Sequence, residues 1–305
     1  MGINVLSLFD GISCGQIALE RAGIEVDNYY ASEIDDKAIK VTQMNYPNTI
    51  QLGDVMNLDF NKVGDIDILI GGSPCNYWTI AKTDRETTCE GVGFELFLQY
   101  VKALNETKPK YFLYENNFSI HKNIRDKITE LLKVEPIMIN SSLVSAQNRK
   151  RYYWTNIPNV VQPDDKNIVL ADIIGEECYC VAEQPFKRKK INGKYDRRYE
   201  PRKDSKSGTV VGTREGQLNM VAIKTNKLES NCKIENGIFY GEHKTYPITI
   251  SDGYYKIRSF SICEREKLQT LPSGYTKCIK DSAAKKAIGN GWTVDVVAHI
   301  FKNIK

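Results

Sequence analysis

A single cysteine stands directly after an apolar run, at a turn that could present its thiol for chemistry. The run Ile68-Leu69-Ile70 is followed by two glycines, Ser73, Pro74 and Cys75, which predicts a buried strand ending in a sharp turn. Pro74 biases Ser73 toward extended geometry and so helps to aim Cys75. Ligands of open α/β sheets bind outside the carboxyl ends of strands, so Cys75 is a candidate nucleophile. A buried structural cysteine is the alternative.

Acidic side chains end three further apolar runs. Glu33, Asp54 and Glu115 lie at the ends of the second, third and fifth predicted strands. Glu33 lies about twenty residues after a glycine turn at Asp10-Gly11, a spacing at which a carboxylate can accept hydrogen bonds from a ribose. Asp54 could accept one from a purine amine. Together these strand ends indicate an adenosine-containing cofactor, and a tight connection plus a helix N-cap near residue 35 is the alternative.

Two arginines complete the candidate chemistry. Neighbouring strands lie about 4.8 Å apart, so Glu115 can share a pocket with Cys75 if their strands are adjacent. Arg149 and Arg151 alternate along a later predicted strand, which places both guanidinium groups on one face. A solvated basic edge is the alternative.

The elements that must position these residues alternate between strands and helices. Up to residue 157 the pattern predicts an α/β fold, a doubly wound and mostly parallel sheet. From about Pro158 prolines, glycines and charges break the pattern, and short β-prone segments predict a small, irregular, β-rich unit. Helical periodicity returns near Ser261, and a last helix is predicted from Ala287 through Phe301. We therefore expect a first domain over 1–157, a second over 158–255, and C-terminal helices over 256–305 that return to the first.

Composition excludes several classes of protein. The 305 residues are 41% hydrophobic and 26% charged, with a formal net charge of +4, which fits a globular protein with a real core. The eight cysteines form no CxxC pair and the three histidines no ligand pattern, so we expect no metal site and reduced thiols in the cytoplasm. No apolar run approaches the ~20 residues of a membrane span.

Positive charge is concentrated in one segment. Residues 187–206 hold ten lysines or arginines against three acids. Such a segment fits a groove that binds phosphates, and a solvated face is the alternative.

Eight short motifs in one order resemble those of the DNA cytosine-5 methyltransferases. Their details are closest to the de novo branch and its phage and bacterial relatives. The motifs are Leu8-Phe9-Asp10-Gly11, Glu33-Ile34, Gly53-Asp54-Val55, Gly71-Gly72-Ser73-Pro74-Cys75, Glu115-Asn116, Gln147-x-Arg149-x-Arg151, Glu264-Arg265-x-x-Leu268-Gln269 and Gly289-Asn290.

The resemblance implies a Rossmann-like methyltransferase that uses S-adenosylmethionine and flips a cytosine out of double-stranded DNA. Cys75 would add to C6, Glu115 would hold N3 and the 4-amino group, and Arg149 with Arg151 would hold the O2 edge and a phosphate. The cofactor would contact Phe9, Asp10, Gly11, Glu33, Ile34, Asp54, Val55, Leu96, Asn290 and Trp292. The second domain would recognise the target sequence, and the DNA contacts would include Gln147, Lys187, Arg188, Lys189, Lys190, Arg197 and Arg198.

The chain also departs from the family pattern. Asn76-Tyr77-Trp78-Thr79 follow the candidate nucleophile, Asn117 follows Glu115-Asn116, and Phe97-Leu98-Gln99 replace Phe-Phe-Glu. The alternatives are a tRNA cytosine-5 methyltransferase of the same fold and an inactive homologue that only binds DNA or a partner. We expect a monomeric bacterial or phage protein without membrane contact, and a restriction endonuclease as functional partner is a further hypothesis.

Overall fold

The computed structural model describes residues 2–79, 84–191, 194–212, 219–242 and 244–305, without the side chains of residues 61 and 184–196. Among the described helices, none is both long and apolar enough to cross a bilayer.

A seven-stranded sheet forms the first half of the molecule, in the order β3-β2-β1-β4-β5-β7-β6. The first five strands are parallel, and β7 runs antiparallel to both β5 and β6. The strands are β1 (Ile3–Leu8), β2 (Val26–Ser32), β3 (Ile50–Gln51), β4 (Ile68–Gly71), β5 (Tyr111–Asn117), β6 (Ile137–Asn140) and β7 (Lys150–Thr155). The predicted doubly wound, mostly parallel sheet is confirmed.

Apolar side chains cover both faces of this sheet. On β4, Ile68 and Ile70 join one core cluster while Leu69 joins the other, as expected of central parallel strands buried on both sides. The first cluster is covered by α1 (Cys14–Ala22), α2 (Asp36–Asn45) and α8 (Val294–Phe301), and the second by α3 (Val92–Thr107) and α4 (Lys122–Leu132). All βα turns of the parallel strands therefore meet at one edge of the sheet.

A second seven-stranded sheet, wholly antiparallel, has the order β13-β12-β11-β14-β10-β8-β9. Its two edge strands contact each other, because Tyr199 N on β9 donates to the Tyr246 hydroxyl on β13 at 2.8 Å. Next to them, Lys244, just before β13, pairs with Glu183 on β8 at 2.7 Å. The sheet therefore curls around its own core. The strands are β8 (Cys178–Ile191), β9 (Lys194–Pro201), β10 (Met220–Thr225), β11 (Cys232–Glu235), β12 (Ile238–Tyr240), β13 (Thr245–Pro247) and β14 (Gly253–Ser259).

The short β-prone segments of the sequence are thus parts of one regular sheet. Strand β14 passes the predicted boundary at residue 255, so we propose that the second unit extends to Ser259. The short helix α5 (Leu170–Ile174) precedes it, and α6 (Ile262–Leu268) follows it.

The C-terminal region differs from the single helix predicted from Ala287 through Phe301. Helix α7 covers Asp281–Asn290, and α8 begins at Val294. The break is held from outside, because Arg149 and Gln269 each donate to the carbonyl of Gly291 at 3.0 Å. Local periodicity carries no trace of these distant donors.

Candidate active site

One cleft of about 690 Å³ lies at the carboxyl ends of β1, β2, β4 and β5. Its walls hold residues that the sequence singles out, or close neighbours of them, from both the thiol side and the glycine-turn side. From the thiol side these are Gly72, Pro74, Cys75, Glu115, Arg149 and Arg151; from the other side they are Phe9, Asp10, Gly11, Glu33, Ile34, Leu96 and Trp292. Asn290 also lines the cleft. The two groups of candidates therefore share one space.

Cys75 opens a 3-10 turn, Cys75–Tyr77, placed directly beyond β4. Its carbonyl accepts hydrogen bonds from the backbone N–H groups of Trp78 and Thr79, both at 3.0 Å. The nearby Ser73 is fixed by Tyr114, whose hydroxyl lies 2.6 Å from the Ser73 hydroxyl. Cys75 is half-buried, so its thiol is held at the cleft wall rather than sealed in the core.

Glu115 lies beside this turn because β5 pairs directly with β4. On β7 the residue opposite Glu115 is Tyr153, and Arg151 lies diagonally across on the same face. Glu115 Oε1 is 3.0 Å from Arg151 Nε, and Oε2 accepts from Trp292 Nε1 at 2.9 Å. A side chain at Gly72 would put its Cβ 3.1 Å from Oε2 and 2.7 Å from the Glu115 carbonyl oxygen. Glycine at 72 therefore leaves the room in which this carboxylate sits.

Arg149 has different partners from Arg151, although both line the cleft. It precedes β7 and is almost fully buried, and it donates to the carbonyls of Val210 at 3.1 Å, Gly289 at 3.2 Å and Gly291 at 3.0 Å. Burial first, and then the charge of Arg151, lowers the pKa of Arg149 to about 10. The predicted hold on a base by Arg149 is not supported by this geometry, because its guanidinium is committed to three backbone carbonyls.

Gln147 is also interior. Its side chain has no exposed surface, donates to Leu268 O and Gln269 Oε1 at 3.0 Å, and accepts from Val210 N at 2.8 Å. The structure therefore gives no support to its predicted DNA contact. Gln147 instead joins the chain near β7 to α6 and to the segment that follows β9.

The glycine-turn side is shaped by two carboxylates. Phe9 adopts a positive φ of 58° and Gly11 one of 60°, a conformation that a bulky side chain rarely takes. Glu33 Oε2 accepts from Gly11 N at 2.8 Å, while Oε1 accepts from the N–H groups of Ile34 and Asp35 at 2.7 and 2.9 Å. Ile34 is nevertheless 72% exposed, so an apolar side chain faces open cleft.

Asp10 accepts hydrogen bonds from three hydroxyl groups. Ser7 and Tyr29 donate to its carboxylate at 2.7 and 2.8 Å, and Ser13 donates as well. Burial is the largest influence and outweighs these hydrogen bonds, so the pKa of Asp10 rises from 3.8 to about 6.

Asp54 and Val55, both expected to contact the cofactor, do not line the cleft. Asp54 Oδ1 accepts from Met56 N at 3.0 Å and so caps the 3-10 turn Val55–Asn57. Val55 is 4% exposed and packs in the second core cluster. Strand β3 ends at Gln51, earlier than the sequence indicates, and these residues belong to the connection that follows it.

Sequence reasoning missed Lys286 and Asp35, which both line the cleft. Lys286 Nζ donates to Asp35 Oδ2 at 2.8 Å, and Asp35 Oδ1 caps α2 by accepting from Lys37 N at 2.9 Å. The hydrogen bond from Lys286 is the main reason that the pKa of Asp35 is lowered. For Asp35, the sequence offered one indication, the alternative of a helix N-cap near residue 35. For Lys286 it offered none, since a lysine one helical turn before Gly289 does not by itself indicate a site.

The basic segment lies in the β8–β9 hairpin. The side chains of Lys187, Arg188, Lys189 and Lys190 are outside the described part of the structure. Arg197 and Arg198 are partly exposed on β9, and the Arg198 guanidinium lies 5.3 Å from the centre of the Tyr246 ring. Among described residues, no group of three histidine, cysteine or acidic side chains could hold a metal ion.

The sequence and fold of this chain are similar to those of known proteins. Residues 3–305 match the model of the family described as C-5 cytosine-specific DNA methylase. The chain is 29% identical over 184 residues to the orphan methyltransferase M.Rho11sI of Bacillus phage rho11s, covering 55% of this chain and 35% of that protein. It is 24% identical over 323 residues to the type II methyltransferase M.NlaX of Neisseria lactamica, covering 99% and 96%.

The match thus spans little more than a third of M.Rho11sI and of a second phage relative, M.SPRI.

Among solved structures, the Entamoeba histolytica methyltransferase EhMeth aligns with a TM-score of 0.67 at 15% identity, over 100% of this chain and 99% of that one. At this identity the likeness concerns the fold.

Proposed function

Because the chain belongs to the C-5 cytosine-specific DNA methylase family, we propose that it transfers a methyl group from S-adenosylmethionine to C5 of cytosine in double-stranded DNA. The observation that carries the proposal is that Cys75 and Glu115 line one wall of a cleft and Glu33 and Ile34 line another wall of the same cleft. A reacting base and a methyl donor would have to meet in such a space.

The residues on the glycine-turn side fit the cofactor. Ile34 offers an exposed apolar surface inside the cleft, which suits the flat face of an adenine. Glu33 lies next to it and keeps about one acceptor site for a ribose hydroxyl, since a carboxylate has about four such sites and backbone N–H groups use three of them. A Cβ at Gly11 would meet nothing within 4 Å, so this turn borders open space. When bound, S-adenosylmethionine would supply an electrophilic methyl group.

The thiol side fits a cytosine. The Cys75 thiolate adds to C6, the electron pair of the C5–C6 double bond shifts toward C5, and N3, which the Glu115 carboxylate would face, takes up a proton from solvent. Once C5 carries the methyl group, its hydrogen leaves as a proton to solvent, the electron pair returns to the C5–C6 bond, the thiolate is expelled, and N3 gives its proton back. Arg151 holds Glu115 in place from β7. A cytosine inside a duplex cannot bring C6 to this thiol, so the base must rotate out of the helix.

Replacing the thiol tests the proposal. We expect Cys75→Ser to lose methyl transfer to DNA by at least ~10³-fold, because the residual hydroxyl is a far weaker nucleophile at neutral pH. DNA affinity in a gel-shift assay should remain. Cys263→Ser, at an exposed thiol remote from the cleft, is the matched control and should remain active.

A trapped adduct provides the second test. DNA carrying 5-fluorocytosine should form a covalent complex with the wild type, because fluorine at C5 cannot leave as a proton. A Cys75→Ser variant with full activity, or no complex on 5-fluorocytosine DNA of a sequence that the protein methylates, would contradict the thiol mechanism. Methylation of tRNA but not of DNA would favour the RNA-acting alternative.

A further inference from the structure

We propose that Trp292 is a positioning residue whose indole N–H holds the Glu115 carboxylate in register with the target base. The inference rests on the proposed function, and it gives Trp292 a role besides packing on the cofactor. It follows from the contacts that Trp292 and Glu115 make with each other and with the elements around them.

The two oxygens of Glu115 are held by two different elements. Arg151, on β7, contacts Oε1 at 3.0 Å, and Trp292, in the break between α7 and α8, donates to Oε2 at 2.9 Å. The last torsion of a glutamate is broad, so a single donor would leave the carboxylate plane poorly fixed. With one donor on each oxygen, the plane is set, and each oxygen keeps a lone pair for the base.

Buried hydrogen bonds fix the backbone on both sides of Trp292. The Gly291 carbonyl accepts from Arg149 and Gln269, and the Thr293 hydroxyl donates to Gln269 Oε1 at 2.8 Å. Ser141 donates to Thr293 Oγ1 at 2.8 Å. The indole is therefore presented by a short segment that has little freedom to move.

The ring of Trp292 lies on the glycine-turn side of the cleft, although its N–H reaches the thiol side. A Cβ at Gly15, in the first turn of α1, would lie 3.7 Å from Trp292 Cζ3. A Cβ at Gly291 would lie 3.1 Å from Cys14 Sγ, so the segment also approaches α1 closely. Trp292 thus spans the two halves of the cleft, with its polar atom directed at Glu115.

Exchange of the C5 hydrogen in the absence of S-adenosylmethionine separates the two roles of Trp292. Addition of the Cys75 thiolate to C6 makes C5 basic, so C5 can take up a solvent proton and lose its original hydrogen before the thiolate leaves. Release of tritium from 5-³H-cytosine DNA therefore reports on Cys75 and Glu115 without the cofactor.

The variant to use is Trp292→Phe, which keeps an aromatic ring and removes the N–H. We expect tritium release to fall by about tenfold or more, the loss typical of removing one hydrogen bond to a charged group. The dissociation constant for S-adenosylmethionine should change less than this. Trp154→Phe removes the same group from a buried tryptophan that donates to Thr129, and it should retain exchange.

The outcomes distinguish this inference from the function on which it rests. If the wild type neither methylates DNA nor releases tritium, the proposed function fails. If the wild type exchanges and Trp292→Phe does so at the same rate, the positioning role is wrong. A Trp292→Phe variant that loses only cofactor affinity would likewise assign Trp292 to the cofactor alone.

Discussion

Asp10 and Glu33 direct most of their hydrogen-bonding capacity toward the protein. Glu33 accepts hydrogen bonds from three backbone N–H groups, and Asp10 accepts hydrogen bonds from three hydroxyl groups. Both carboxylates therefore stabilise the turn that borders the cleft, and only their remaining acceptor sites are left for a ligand. Removal of either one should change the shape of the site as well as its charge.

The raised pKa of Asp10 predicts how stability depends on pH. The folded protein holds this proton up to about pH 6 whereas the unfolded chain releases it near 3.8, so the folded state binds more protons between these values. Stability contributed by Asp10 is then present at low pH and is lost as pH rises to about 6. Relative to Asp10→Asn, the wild type should lose roughly 2 kcal/mol over this interval.

Urea unfolding of both proteins between pH 4 and 7 measures this difference. Because all other groups are shared, the difference between the two curves isolates residue 10. A difference that stays flat, or that favours the wild type as pH rises, would contradict the buried carboxyl described above.

At this scale the sequence identified the right residues better than their uses. Cys75 and Glu115 could be placed together, because Cys75 comes just after β4, Glu115 lies near the end of β5, and the two strands are neighbours. Arg149 and Gln147 belong to the same motif and yet contact backbone and side chains 61 to 142 residues away. A motif shows that a residue type is needed, and only the tertiary partners show whether it faces a ligand or a carbonyl.

The break between α7 and α8 is the element that shapes the cleft most directly. It presents Trp292, two residues after Asn290 at the end of α7, and α7 approaches the segment after β9 so closely that a side chain would not fit. A Cβ at Gly289 would lie 2.3 Å from Gly212 N and 2.6 Å from the carbonyl carbon of Val211. Both contacts are with backbone, which cannot turn aside.

Two effects oppose each other in Gly289→Ala. Alanine within a helix gains about 1 kcal/mol over glycine, but overpacking against backbone costs about 1 to 3 kcal/mol or more. We expect the cost of overpacking to be larger, so the free energy of unfolding should fall. Methyl transfer should fall as well, because Trp292 lies just beyond the end of α7 and would shift with it. Thermal unfolding and a methylation assay on one preparation measure both.

Gly274→Ala is the matched control. Gly274 has a φ of +77° and open surroundings, with Lys277 Cδ 3.9 Å from an added Cβ. It should lose about 1 kcal/mol through backbone strain alone and keep its activity per folded molecule. Unchanged stability and activity of Gly289→Ala would show that the approach to Gly212 is not a constraint.

In the whole molecule, the two sheets differ in how far their sequence reveals them. The first sheet was predictable because each βα unit is local and its strands read as apolar runs. The β-rich character of the second unit was predicted, but its regular sheet was not, since β10 pairs with both β8 and β14 across long loops, and β11, β12 and β13 have only three or four residues each. Its ties to the first unit, through Val210 and Arg149, likewise join distant parts of the chain.

The uneven charge of the molecule gives the last prediction. Residues 187–206 hold ten basic residues and three acids, so the segment has seven more positive than negative charges, against a net charge of +4 for the whole chain. The attraction of DNA should therefore depend on this hairpin. Changing Lys187, Arg188, Lys189 and Lys190 together to glutamine should weaken DNA binding and reduce the slope of log K against log salt by up to about one for each phosphate that these side chains neutralise. Fluorescence anisotropy at several salt concentrations gives that slope.

The matched control makes the same four-charge change at four lysines that are exposed on the described structure: Lys108, Lys110, Lys133 and Lys302. This variant should leave the slope nearly unchanged, because Lys108 and Lys133 end α3 and α4 at the edge of the sheet opposite the cleft. Equal slopes for the two variants would mean that the hairpin is a solvated face and that the DNA lies elsewhere.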